Sequence, residues 1–275
     1  MSERHLTRLF DLTGKVALVT GGTGIQGPRI ARGLAAHGAD VAVTDLDQAA
    51  TDALAAVIAK DYGVRAVGVA CDVGDPAAVN TMVERVVGEL GGLHVLHNSA
   101  ASKTNNPRDY FKPLEDFEFR VWRDIMRVNI DGMFLVAQAV GRRMVQQGKG
   151  GSIIQTASTY GLVGPDFRIY EGSEYMGHTI TTPAAYAASK GAVVALTRYL
   201  ATYWGGKGIR VNTLVPGGIE SGQNETFQRN YGARVPLGRM AHVDEMVGAV
   251  VYLASDAASY VTGQMLVVDG GWTAW

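Results

Sequence analysis

Three observations predict a doubly wound α/β domain, a mostly parallel sheet of seven strands flanked by helices. Short apolar, β-branched runs alternate with longer helical patterns along most of the chain. Several of these runs are nearly continuous in apolar residues, as strands buried on both faces of a parallel sheet must be. The 275 residues include 35 glycines with no collagen-like period, which suits many tight strand-to-helix turns and close backbone approaches. The repeated strand–helix–strand order calls for right-handed crossovers. No linker, charge run or internal repeat divides the chain, so residues 1–275 read as one domain.

The first strand is predicted at 15–20 (KVALVT), before the glycine loop TGGTGIQG at 20–27. A helix then covers 28–37, with Pro28 in its first turn, where a missing N–H costs little. Strands at 41–45, 65–71 and 93–97 alternate with helices at 48–61 and 76–90. A long helix over 115–147 leads to a strand at 151–156. A helix at 184–205, a strand at 209–215, a helix at 243–254 and a strand at 265–269 complete the series. Two stretches, 98–114 and 162–183, are too long for compact α/β connections. Each follows the carboxyl end of a strand, where open α/β sheets bind ligands. Loops of this length are usually lids or disordered, and their aromatic and apolar residues favour lids.

Composition narrows the function. A net charge of −1 gives no electrostatic footprint for nucleic acid or an anionic membrane. The single cysteine, Cys71, excludes an internal disulfide and a cysteine-based zinc site. His94 and His97, three apart on a strand, face opposite sides, and no metal site is read. The first residues lack the apolar core of a signal peptide. No run approaches the roughly 20 apolar residues that span a bilayer. A soluble cytoplasmic protein is expected.

The glycine loop follows the first strand and opens a helix, the context of a dinucleotide fingerprint. Gly21, Gly24, Ile25 and Gln26 are its candidate cofactor contacts, the pyrophosphate charge facing the helix N-terminal amides. Asp45 ends the second strand, placed to accept hydrogen bonds from the adenosine ribose and to repel a 2′-phosphate. No arginine follows it, so NAD is favoured over NADP. In Tyr186-Ala-Ala-Ser-Lys190, helical spacing places Tyr186 and Lys190 on one face. An adjacent ammonium is expected to lower the phenol pKa and make proton transfer useful near neutrality.

Taken in order, the loop, Asp72-Val73, Asn98-Ser-Ala, Asn129, Ser158, Tyr186-x-x-x-Lys190, Pro216-Gly217, Pro236-Leu-Gly-Arg239 and Val261-Thr-Gly…Val-Val-Asp-Gly-Gly271 cover nearly the whole chain. They resemble the classical short-chain dehydrogenase/reductase family, whose members carry one Rossmann-type domain. The resemblance implies that Tyr186 moves a proton to or from the substrate oxygen and that Lys190 binds the nicotinamide ribose and tunes the tyrosine. Ser158 would hydrogen-bond the substrate oxygen, and Asn129 would hold a relay water. Asp72, Val73 and Asn98 would shape the adenosine side. Pro216, Gly217, Ile219 and Ser221 would meet the nicotinamide. It also implies an alcohol dehydrogenase or ketoreductase, and a homotetramer paired through helices 115–147 and 184–205.

Two departures matter. Ile25 stands where the family usually has the middle glycine, a spacing similar to that of extended members such as nucleotide-sugar epimerases. The sequence ends just after VVDGG, which leaves no substrate domain and weakens that alternative. A catalytically silent NAD-binding sensor is the other alternative, disfavoured by the intact Asn129–Ser158–Tyr186–Lys190 set. Second, Ser158 and Tyr186 stand 28 positions apart, more than the family commonly has. The inserted polar and aromatic residues suit a sugar, sugar acid or polyol, and DFRIYEG is similar to members acting on sugar acids. Arg168, Tyr170 and His178 are the candidate substrate contacts there, with Arg168 preferred as a carboxylate clamp over Arg108, Arg120, Arg123 and Arg127. Trp272 and Trp275 are candidates to cap the site or join a subunit contact.

Overall fold

A computed structural model describes residues 6–104, 106–175 and 177–275. The first five residues, part of the stretch read as lacking a leader, lie outside the described residues, as do Asn105 and Met176 of the two long loops.

The strands are β1 (Val16–Thr20), β2 (Asp40–Asp45), β3 (Ala66–Ala70), β4 (Val95–Asn98), β5 (Gly151–Thr156), β6 (Ile209–Pro216) and β7 (Met265–Val268). They form one seven-stranded sheet in the order β3-β2-β1-β4-β5-β6-β7, and all of its pairings are parallel. The Rossmann-type sheet is thus present as predicted. Every residue of β1 is buried, which its unbroken apolar run requires, because helices cover both faces. The helices are α1 (Gly27–Ala36), α2 (Gln48–Tyr62), α3 (Pro76–Leu90), α4 (Phe119–Met126), α5 (Met133–Gln147), α6 (Ala184–Trp204), α7 (Glu225–Gly232) and α8 (Val247–Ala254). On one face Leu18, Leu96, Ile153 and Val211 meet α3, α5 and Trp204 of α6. On the other, Val19, Val41 and Ile154 meet α1 and α8. Asp47 and Asp75 cap α2 and α3 by accepting from first-turn amides, satisfying donors that a helix start leaves orphaned.

The long helix predicted over 115–147 is interrupted. Residues Arg127–Gly132 form a π-helical turn between α4 and α5, a widened geometry found mostly where function demands it. Helix α7 was not anticipated. Phe227 and Tyr231 are its buried apolar side chains, too few to leave a periodic signal. Within 162–183, Glu174–Tyr175 and His178–Thr179 form a short antiparallel hairpin. The order in which strands are added reverses between β1 and β4, and the crevice at their carboxyl ends is where such sheets bind ligands.

Candidate active site

A cavity of about 850 Å³ occupies that crevice, running from the glycine loop past Tyr186 to the 162–183 segment. At one end the loop packs with no slack. Gly21 is left-handed (φ 66°), and a Cβ there would stand 3.1 Å from Ala100 Cα. A Cβ on Gly22 would lie 2.3 Å from Val43 Cγ1, and one on Gly27 would lie 2.3 Å from the Gly21 oxygen. Only glycine fits at these points. Ile25 is 52% exposed on the cavity wall, so its branched side chain is accommodated outward. Close packing is supplied by Gly21, Gly22 and Gly27 instead. No side chain caps α1, which leaves its first amides open to an anion.

Thr23 donates to Asp45 Oδ2 from its amide (3.0 Å) and its hydroxyl (2.7 Å). This fixes the carboxylate at the cavity edge. Asp72 accepts from Gly74 N–H at 2.9 Å and pairs with Arg127 at 3.0 Å. Arg127 was weighed only as a substrate clamp, and the structure neutralises it on Asp72. Val73, Pro216, Gly217, Ile219, Ser221, Gly24 and Gln26 also line the cavity. Asn98 does not. It is 1% exposed, accepts from Thr20 Oγ1 at 3.0 Å and donates to Met133 O at 2.9 Å. Its amide is therefore spent joining β4 to β1 and α5. Glycine cradle, uncapped helix and edge carboxylate together fit a dinucleotide.

In the middle stand Ser158, just past β5, and Tyr186 and Lys190 on α6, all on the cavity wall. Lys190 is 3% exposed, donates to Thr156 O at 2.8 Å and lies 5.7 Å from the Tyr186 ring centroid. Burial pushes its pKa down to about 8. The tyrosine contradicts the expectation of a lowered pKa. Burial raises it, against the pull of a hydrogen bond with Ser158. The physical reason is that desolvation disfavours both charged forms, while the ammonium is hydrogen-bonded to the backbone and not to the phenol. Asn129, on the π turn, is fully buried and does not line the cavity. It accepts from Ser102 N–H at 2.8 Å and donates to Ser189 Oγ at 3.3 Å, which in turn donates to Tyr186 O at 2.8 Å.

The far end is hydroxyl-rich and aromatic. Tyr170 Oη bonds Tyr160 Oη at 3.2 Å and also Thr182 Oγ1, and all three residues line the cavity. Phe227 and Tyr231 of α7 complete the wall, and Trp272 stacks behind Tyr231 at 4.7 Å. Trp272 therefore backs the site without lining it, while Trp275 is 76% exposed. Two predicted contacts are misplaced. Arg168 is doubly bonded to Asp166, both contacts at 2.8 Å, and is not among the residues that line the cavity. His178 stands outside as well, 3.4 Å from Arg108 Nε. Residues missed at sequence level are Lys103 and Asp124 on the wall and the α7 pair. Lys103 lies in a loop already marked as a lid, so position alone offered a signal. Among the described residues no three His, Cys, Asp or Glu side chains gather as a metal site, and no helix is long and apolar enough to cross a membrane.

Comparison with known proteins agrees with this geometry. Residues 23–273 match the family described as enoyl-(acyl carrier protein) reductase. D-threitol dehydrogenase of Mycolicibacterium smegmatis is 38% identical, over 96% of this chain and 95% of that one. Gluconate 5-dehydrogenase of Gluconobacter oxydans is 35% identical over 96% and 97%. Among solved structures, a short-chain type dehydrogenase/reductase from Mycobacterium marinum superposes with a TM-score of 0.84, at 35% identity and full coverage of both chains. A gluconate 5-dehydrogenase from Burkholderia cenocepacia, in complex with NADP and tartrate, gives 0.86 at 35% identity, covering 98% of this chain and all of the other.

Proposed function

Because the chain belongs to the short-chain dehydrogenase/reductase family, we propose that it interconverts a secondary alcohol and a ketone on a small polyhydroxylated substrate, using NAD. The observation that carries this reading is the convergence of Ser158, Tyr186 and Lys190 in one cavity with the hydroxyl-bearing Tyr160, Tyr170 and Thr182. A nicotinamide dinucleotide, when bound, supplies the hydride acceptor or donor. Gly21, Gly27 and the first amides of α1 hold its pyrophosphate, and Asp45 its adenosine ribose. Asp45 supports NAD over NADP, since its fixed charge repels a 2′-phosphate and Arg127, the nearby cation, is already paired with Asp72. The NADP seen with the Burkholderia relative belongs to that protein's site.

The chain's own residues handle the proton. Tyr186 accepts it from the substrate hydroxyl during oxidation and returns it during reduction. Ser158 orients the same oxygen. Burial makes an isolated phenolate costly, so the Lys190 charge 5.7 Å from the ring offsets it. Asn129 contributes by fixing the π turn against Ser102 and Ser189; with its side-chain amide spent there, the relay water toward Lys190 would rest on its backbone carbonyl. Tyr199 and Tyr203, stacked and exposed on α6, support the homotetramer.

The test is NAD and NADP reduction, side by side, with a panel of sugars, sugar acids and polyols. The expected result is NAD-linked oxidation, falling roughly 10²–10⁴-fold in Tyr186→Phe with cofactor binding retained. Wild type that binds NAD but turns over nothing, with Tyr186→Phe behaving identically, supports the silent sensor. Product without net NADH supports the epimerase-like reading.

A further inference from the structure

We propose that Lys103 recognises an anionic group on the substrate, so that a polyhydroxy carboxylate is a better substrate than the matching neutral polyol. This rests on the reading of the cavity as a polyhydroxy-alcohol site and names the class within it.

Three cations line the cavity, namely Lys103, Arg127 and Lys190. Arg127 is neutralised by Asp72 at 3.0 Å, and Lys190 is committed to Thr156 O beside the Tyr186 ring. Lys103 alone has no carboxylate and no hydrogen-bond acceptor among the described residues. Lys103 is exposed, yet the surrounding wall partly desolvates it and lowers its pKa. A bound anion offsets that desolvation, because a charge-assisted hydrogen bond satisfies the ammonium.

The loop that carries Lys103 is tied to the helix that carries Tyr186. Ser102, the neighbour of Lys103, donates its N–H to Asn129 at 2.8 Å, which links it to the Ser189–Tyr186 turn of α6. On the other side Thr104 takes a left-handed conformation (φ 64°) and donates its N–H to Ser102 Oγ at 3.0 Å. A β-branched residue in that region is strained, and such strain gathers at functional sites. Lys103 shares the cavity lining with Tyr110 and Phe111. Among the described residues, Asp45 and Asp124 are the wall carboxylates without an ion pair; Asp45 is held by Thr23 at the cofactor end, and Asp124 lies three residues before Arg127, whose partner is Asp72. Arg168, the cation that sequence reasoning favoured for this role, is consumed by Asp166.

The experiment compares D-gluconate with D-glucitol, which carries a hydroxymethyl group in place of the carboxylate, on the NAD-loaded enzyme. Wild type is expected to prefer the acid. In Lys103→Met the acid-to-polyol ratio of kcat/KM should fall roughly tenfold to a hundredfold, through KM, and Lys103→Arg should restore most of it. Calorimetric binding of gluconate to NAD-loaded Tyr186→Phe, with and without Lys103→Met, gives a readout independent of turnover and should show the same loss. Equal losses for acid and polyol, as cofactor or folding damage would produce, overturn the proposal, and so does an unchanged ratio. Wild type that oxidises glucitol but not gluconate overturns Lys103 recognition alone. Wild type that binds NAD and oxidises no polyhydroxy compound overturns the underlying reading and this proposal with it.

Discussion

The two ends of the cavity are built by different means. The cofactor end rests on neighbours in sequence: three glycines within seven residues that tolerate no Cβ, and a strand-end carboxylate tied back to Thr23. The substrate end rests on residues distant in sequence. Ile169, Phe227, Tyr231, Val235, Met240 and Trp272 make a separate apolar cluster over the sheet. Asn230 donates to the Ile169 and Glu171 oxygens, Asn224 donates to the Glu174 oxygen, and Arg234 pairs with Asp166 at 2.9 Å. On the proposed reading a short local motif fixes where a dinucleotide would go, while tertiary packing fixes what would be presented to it.

Substitutions confined to one end should separate the two. The largest effect is expected from Trp272→Ala. Removing a buried aromatic that stacks on Tyr231 should cost about 3–5 kcal/mol, seen in chemical denaturation, and raise substrate KM while the NAD dissociation constant holds. Loss of both together would show that the ends are not independent.

Acid should act on both ends at once, because His97 sits beneath them in β4. It is fully buried, contacts Thr156 Oγ1 at 3.1 Å, and burial pushes its pKa down to about 4 from 6.5. The unfolded chain therefore binds this proton more readily. The stability carried by the neutral ring is present above pH 6.5 and is lost as pH falls through 4, roughly 3 kcal/mol in all. His97→Leu should flatten the dependence of Tm on pH across that window. A slope unchanged from wild type would assign acid unfolding to other groups.

The smallest effect falls on the cofactor end alone. In Gly27→Ala the new methyl must displace the Gly21 carbonyl, an overpacking cost of about 1–3 kcal/mol. Titration should show NAD binding weakened roughly tenfold to a hundredfold, with the Trp272 cluster undisturbed in fluorescence. Unaltered NAD affinity would mean that the loop has slack the packing does not reveal.

The same contrast explains what was legible in the sequence. The inner sheet strands could be read because a strand covered on both faces must be apolar along its length, and β7 because its MLVV run is apolar although only partly buried. Gly21, Asp45, Ser158, Tyr186 and Lys190 could be placed because each sits at a fixed offset from a strand or helix end. Arg168 could not be judged without knowing that Asp166 folds onto it. Asn98 and Asn129 reached the right neighbourhood, but their amides face inward to other elements, which no spacing rule states. Lys103 differs from the chain's other unpaired lysines in lining the cavity, a property of the fold and not of its flanking residues.

The bolts from Asn224, Asn230 and Arg234 to the 166–174 segment also have a consequence for descent and recombination. Two stretches far apart in the gene behave as one cassette. A chimera that imports a foreign 162–183 segment without its matching 224–234 segment would leave carbonyls and a carboxylate facing strangers. New specificities in such a scaffold should therefore arise by paired exchange, or by small edits on the wall, more readily than by swapping the lid alone.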